Sequence, residues 1–217
     1  MNNEFPAYGI NHFYSPKEEK KPTVVFCIPG NNFSSHFVNG WTSTLFYLMN
    51  NPTFIHPQYM NSETSSSNQE LFDVLEPVSS EKQVMLFGGT WAYDFVFFIN
   101  PKCKFDIKSV LHLFYEVCHN RKFNILSGLV YENETSNLYK NGERVSKTKI
   151  DTELAEAKYL ETEALDFDFV LIKNDILEHI DFSIFDKENI SVELSRQIRN
   201  LGYCLNVNKD IVIEKGL

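Results

Sequence analysis

The turn Asn100-Pro101-Lys102 sets an amide beside an ammonium where five consecutive apolar residues, Phe95 to Ile99, come to an end. Such a run cannot belong to a strand with one wet face, so it predicts a central strand covered on both sides, as in a parallel sheet. Pro101 cannot donate to a ladder, which ends the strand near Asn100 and puts the turn at its carboxyl end, the edge where open α/β sheets bind ligands. A fixed positive charge at Lys102 can hold an anion there; a solvated lysine beside Lys104 reads the same in sequence. Pro29-Gly30-Asn31-Asn32 interrupts a second strand-like run, Thr23 to Ile28, and is either a backbone cradle for a ligand or an ordinary strand-to-helix turn. His112 and His119 stand two helical turns apart with no carboxylate or cysteine at ligand spacing. Cys27, Cys103, Cys118 and Cys204 form no close pair, so neither a zinc site nor a disulfide frame is expected.

Several elements must position these groups. After Ile28, Ser34 or Ser35 can cap a helix in which Phe37, Val38, Trp41, Leu45, Leu48 and Met49 recur at helical spacing. Thr53 to His56 reads as a second short strand, and the Ser- and Asn-rich stretch Asn61 to Gln69 as a mobile loop. Val84 to Phe87 suggests a return to the sheet. Asp106 caps a helix with Ile107, Val110, Leu111, Phe114, Val117 and Cys118 on one stripe, followed by a buried strand, Phe123 to Val130. Asn141-Gly142 signals a hairpin within Tyr139 to Lys149. The acidic stretch Asp151 to Glu163 reads as a solvated helix face. Phe167 to Ile172 is a strand, Asn174 to Ile180 a short helix, Glu188 to Leu201 an amphipathic helix closed by Gly202, and Leu205 to Ile213 a last extended segment. Alternating strands and helices predict an α/β domain with a mainly parallel sheet and one antiparallel portion.

Composition bounds the function. With 217 residues, 43% hydrophobic and 14% aromatic, the chain can bury a full core, so residues 23–217 are expected to form one domain behind an N-terminal arm, residues 1–22. A formal charge of -9, with no offsetting run of Lys and Arg, argues against nucleic acid as a partner. The first residues lack the pattern of a signal peptide, and no apolar run is long enough to span a bilayer. The scattered thiols fit an intracellular setting.

Taken together, several stretches resemble a GT-A type glycosyltransferase domain, of the short family 2 kind common in viral and phage genomes. The first strand of that family ends in a Pro-Gly-Asn turn before a helix, much like Ile28-Pro29-Gly30-Asn31-Asn32-Phe33-Ser34 with Gly40-Trp41 beyond. A Tyr-Asp then leads a buried strand to an Asp-X-Asp metal motif, similar to Tyr93-Asp94 through Phe105. A strand ending in Ser-Gly-Leu follows, as in Leu126-Ser127-Gly128-Leu129. Asp166 to Lys173, Glu188-Asn189, Gly202-Tyr203 and Asn208 to Lys215 resemble the later motifs, so the likeness runs from Thr23 to Lys215.

The resemblance implies a nucleotide-sugar site at the edge holding Pro29, Gly30, Asn31, Asn100 and Lys102. It also implies departures. The two metal-binding Asp are replaced by Asn100 and Lys102; an amide is a poor ligand for a hard cation and an ammonium repels one. The histidine of the closing strand falls at about Glu214. The general base of inverting members corresponds to Asn189, leaving Glu188 to take its place, although an acid in the first turn of a helix is favoured by the helix dipole alone. Asp166 and Asp168 replace glycines of the acceptor-side turn and bring negative charge to where a sugar would lie. The expectation is a GT-A-like domain without a divalent metal or other cofactor, catalytically inactive, serving as a binding or structural module with protein partners in an assembly such as a viral particle. The alternative is a metal-independent glycosyltransferase that uses Lys102 for the diphosphate of a nucleotide-sugar donor and Glu188 as base, and a third is glycan binding without catalysis.

Overall fold

A computed structural model describes residues 23–28, 33–50, 56–61, 94–119, 123–153, 156–181 and 190–216. The N-terminal arm, the Ser-rich stretch after Asn61, the return to the sheet near Val84, and Trp91 to Tyr93 lie outside the described residues.

Strands β1 (Thr23–Ile28), β2 (His56–Asn61) and β3 (Phe95–Ile99) run parallel, with β1 in the middle. Of the strand expected at Thr53 to His56, only His56 is among the described residues, and it lies in β2. Next to β3 comes β10 (Phe169–Lys173), antiparallel both to β3 and to β5 (Ile125–Glu132). Beyond β5 lies β11 (Leu205–Lys215), parallel to β5, and then β4 (Cys103–Lys104). The order is β2-β1-β3-β10-β5-β11-β4. The all-apolar β3 is therefore a central strand as its composition predicts, but with a parallel neighbour on one side only. What such a run requires is cover on both faces, and an antiparallel neighbour meets that requirement equally well.

Both faces are covered. Alternate residues of β1 and β3 point to opposite sides. Val24, Phe26, Phe97 and Ile99 pack under α1 (Ser35–Asn50) and α2 (Ile107–His119), whereas Val25, Cys27, Val96 and Phe98 pack against α4 (Asn174–Leu177) and α5 (Ile190–Asn200). Rings knit the first layer: Phe97 meets Phe169 and Phe114 edge-on at 4.9 and 5.6 Å, and Phe26 meets Trp41 at 5.0 Å. Burying each such ring is worth roughly 2–3 kcal/mol.

Both serine and aspartate caps form as expected. Ser34 Oγ accepts from Phe37 N at 3.0 Å, and Asp106 Oδ1 accepts from Ser109 N at 2.8 Å. The buried stripe of α1 differs from the expected one: Phe37, Gly40, Thr44 and Leu48 face the core, while Val38 and Met49 are exposed. Gly40 is the cause. It brings α1 so close to the chain after β4 that a Cβ would stand 2.4 Å from the Phe105 carbonyl oxygen.

The second half adds a small antiparallel layer. β6 (Thr135–Lys140) and β7 (Glu143–Ser146) form the expected hairpin, with Asn141 at φ 54° and Gly142 at φ 79°, the primed turn that suits the twist of paired strands. β6 also pairs with β5 and with β9 (Ala164–Leu165). The acidic stretch Asp151 to Glu163 is not one helix face. Its described residues hold the end of α3 (Lys147–Glu153) and then β8 (Tyr159–Thr162), antiparallel to β11. There Tyr159 and Lys158 both donate to Glu116 of α2, Lys158 Nζ at 2.8 Å, and fasten the strand.

Candidate functional site

The carboxyl ends of β3, β5 and β11 and the approach to β10 converge on one edge. Asn100, following β3, is held from both sides of its amide. Nδ2 donates to Asp168 Oδ1 at 2.7 Å, and Oδ1 accepts from Lys102 N at 3.0 Å. Its backbone N donates to Asp168 O at 2.7 Å and its carbonyl accepts from Cys103 N at 2.9 Å. Pro101 O accepts from Ser34 N at 3.1 Å, which locks the turn to the start of α1. Lys102 presents an exposed side chain, while its carbonyl accepts from Gly216 N at 3.0 Å beyond β11.

Asp168 precedes β10 and is buried. Lys215, the last residue of β11, brings Nζ to 3.2 Å from Asp168 Oδ1 and 3.7 Å from Glu132 Oε2 at the end of β5. Asp166, two residues earlier, is gripped from the hairpin. Arg144 Nη2 lies 2.6 Å from its Oδ2, and Tyr139 OH donates to its Oδ1 at 3.1 Å. Arg144 also donates through Nη1 to Glu132 Oε2 at 3.1 Å. Three carboxylates, the mostly buried Lys215 and the exposed Arg144 thus close on themselves around a shallow, filled depression lined by Val130, Glu132, Ser136, Asn137, Arg144, Asp166 and Asp168.

Beneath the depression, Asn137 ties the layers together. Its Oδ1 accepts from Val130 N at 3.0 Å, and its Nδ2 donates to Ser127 Oγ at 3.0 Å and Gly128 O at 3.2 Å. All of Ser127, Ser136 and Asn137 are buried.

Electrostatics follow from this packing. Burial, then the nearby Asp168 charge, pushes the Asp166 carboxyl up to about 6 despite the pull of Arg144. For Lys215, burial works against the ammonium, but Asp168 and Glu132 outweigh it and hold the group above its ordinary value. Glu132 is held below the usual carboxylate range: burial opposes this, while Lys215, Arg144 and Lys102 prevail. Cys103, buried and beside Asp168, is pushed well up and is no nucleophile.

Four residues expected at the site from the sequence, Asn100, Lys102, Asp166 and Asp168, fall on this edge, three of them lining or contacting the depression. Pro29, Gly30, Asn31 and Glu188 lie outside the described residues. Glu132, Arg144, Tyr139, Asn137 and Lys215 were not singled out, and only Lys215 carried a signal, as the residue after the position matched to a metal-binding histidine. The groups that the GT-A pattern would offer a divalent cation are here an amide with both atoms hydrogen-bonded, a carboxylate already ion-paired, and an ammonium. That donor set does not fit the metal.

Neither a protein-family model nor a curated protein matches this sequence. Among solved structures, the chain is similar to A197 from STIV, with a TM-score of 0.51 and 15% identity over 87% of this chain and 82% of that one. The 2-C-methyl-D-erythritol 4-phosphate cytidylyltransferase IspD of Francisella tularensis is similar at a TM-score of 0.42 and 14% identity, over 90% of this chain and 91% of that one. Likeness at such identity concerns fold. The fold is GT-A-like: a mixed sheet in which β10 runs antiparallel between β3 and β5, with helices on both faces.

Proposed function

We propose that this chain is a GT-A-like domain that takes no divalent metal and transfers no sugar, and that it serves as a binding or structural module within a larger assembly. The observation that carries this reading is the fate of Asp168. Its carboxylate receives the Asn100 amide at 2.7 Å and the Lys215 ammonium at 3.2 Å, so the acidic group nearest the turn is spent inside the protein. A leaving diphosphate needs positive charge that strengthens as the bond breaks, and cations already neutralised by fixed carboxylates supply little. A viral particle is the assembly that the kinship to family 2 domains suggests, together with a chain rich in Phe, with 19 of them.

The metal-independent transferase is the second reading, favoured by the exposed Lys102 at the ligand edge. Calorimetric titration with a panel of nucleotide sugars, with and without manganese, paired with a turnover assay, separates the two. The module shows no manganese-dependent binding and no turnover. Metal-free turnover that is lost in Lys102→Ala would establish the transferase instead.

A further inference from the structure

Helix α1 stands apart from the other described helices in its surface. Its 16 residues hold no Asp, Glu, Lys or Arg, in a chain that is 23% charged, whereas α2, α3, α4 and α5 each carry charge. Its outward side is apolar as well as uncharged: Val38, Phe46 and Met49 are 47%, 70% and 76% exposed. Steps of four, four and three residues, from Val38 through the exposed Thr42 and Phe46 to Met49, keep them on one stripe. A solvated helix face ordinarily carries charge, and a face poor in charge but bearing Phe and Met has the composition of a covered surface.

The position of the stripe decides what can reach it. α1 starts at the carboxyl edge of the sheet, where Ser34 N donates to Pro101 O at 3.1 Å, and returns antiparallel to β1 with Trp41 against Phe26. At 1.5 Å per residue the helix runs about 24 Å, and the six residues of β1 about 20 Å, so Phe46 and Met49 stand at the amino end of β1. That is where Thr23 receives the N-terminal arm. Residues 1–16 of the arm match the stripe in kind, with Glu4 as their single charged side chain and Phe5, Tyr8, Ile10, Phe13 and Tyr14 to bury; the mixed-sign cluster Lys17 to Lys21 comes between them and Thr23.

We propose that residues 1–16 fold back along α1 and cover Val38, Phe46 and Met49 with Phe5, Tyr8, Phe13 and Tyr14, so that the arm is a docked part of the domain. Residues 17–22 span up to about 20 Å when extended, enough to turn past the end of the helix with their charges in water. The tether holds the arm beside the stripe at an effective concentration of about millimolar, which a second copy of the chain in solution does not match. A crossover from β2 to β3 travels across the sheet in the opposite direction to the β1–α1–β2 unit, and right-handed crossovers of opposite direction lie on opposite faces. The arm is thus the stretch of this chain whose attachment leads to α1.

The test is timed chymotrypsin digestion of the full chain, with cleavage after Tyr8, Phe13 and Tyr14 followed by mass spectrometry. Phe46→Glu changes an exposed side chain outside the core and is expected to speed cleavage at these three sites about tenfold, by releasing the arm. Met49→Lys is expected to act in the same direction and serves as the second variant. The reciprocal reading uses Met49→Cys, whose labelling by a maleimide should rise by a similar factor when Phe5→Ser, Tyr8→Ser, Phe13→Ser and Tyr14→Ser are introduced together. Arm cleavage that is equally fast in the unaltered chain and in both α1 variants overturns the docking. So does a Met49→Cys thiol whose protection ignores the arm substitutions and grows with protein concentration, which assigns the face to a second copy.

Discussion

Asp166 keeps its proton to about pH 6 because it lies away from water beside a second carboxylate, against an ordinary value of 3.8. A carboxyl whose pKa rises on folding contributes stability that is full below its unfolded value and is lost as pH climbs through the folded one. Asp166→Asn cannot titrate and stands in for the protonated carboxyl at every pH, and the pull of Arg144 on the charged form is already contained in the folded value. Between pH 4 and 6.5 the variant should therefore gain on the unaltered chain, by up to roughly 3 kcal/mol for a shift of about two units, read from paired urea melts. A difference that is flat with pH would mean that Arg144 fully compensates the burial. Asn100→Asp makes the opposite change, placing a carboxylate where an amide donates to Asp168 at 2.7 Å. It should cost about 2–3 kcal/mol at pH 7 and less at pH 5, where one proton can be shared, and manganese should not restore it while Lys215 holds Asp168. At this scale the sequence marked Asn100 and Lys102, at the end of an apolar run, and Asp166 and Asp168 through the resemblance alone. Glu132, Arg144 and Lys215 escaped, because a charge pair made across strands far apart in the chain leaves no spacing to detect.

Elements were more legible than their contacts. The run Phe95 to Ile99 could only be a buried strand, the Ser34 and Asp106 caps fell where helices begin, and Asn141-Gly142 forced a hairpin through its two positive φ angles. The acidic stretch misled because its charges hid Tyr159 to Thr162, a strand made by pairing with β11 rather than by local pattern. Helix α1 misled in its face. A glycine in mid-helix ordinarily costs up to about 1 kcal/mol relative to alanine, so Gly40→Ala would be stabilising on propensity alone. Here the new Cβ meets the Phe105 carbonyl oxygen at 2.4 Å, and backbone cannot yield as a side chain can. The substitution should instead destabilise by about 2 kcal/mol or more, as overpacking does, with α1 levered off the sheet. Thermal unfolding of Gly40→Ala checks this, and a variant that melts no lower would place the helix further from Phe105 than described.

At the scale of the whole molecule, the sheet order brings the two ends of the described chain's second half together. β10 runs against both of its neighbours, so its start, at Asp168, lies at the same edge as the finish of β3, β5 and β11. A fully parallel sheet would have set Asp168 at the far end, away from Asn100 and Lys215. The antiparallel direction of β10 is thus what builds the cluster, and the Lys215–Asp168 pair is its most direct link, between residues 47 apart. Removing one partner of a mostly buried pair leaves a charge that the interior must accommodate, so Lys215→Met should cost about 2–4 kcal/mol. Asp168→Asn alone should also destabilise, since it strands the ammonium. The double variant carries no uncompensated charge, and its cost should fall short of the sum of the two singles by at least about 1 kcal/mol, measured as the coupling in a denaturant double-mutant cycle. Additive costs would mean that Asn100 and Glu132 satisfy these two groups without each other, and that the edge is held by hydrogen bonds from the Asn100 turn rather than by the charge at the end of β11.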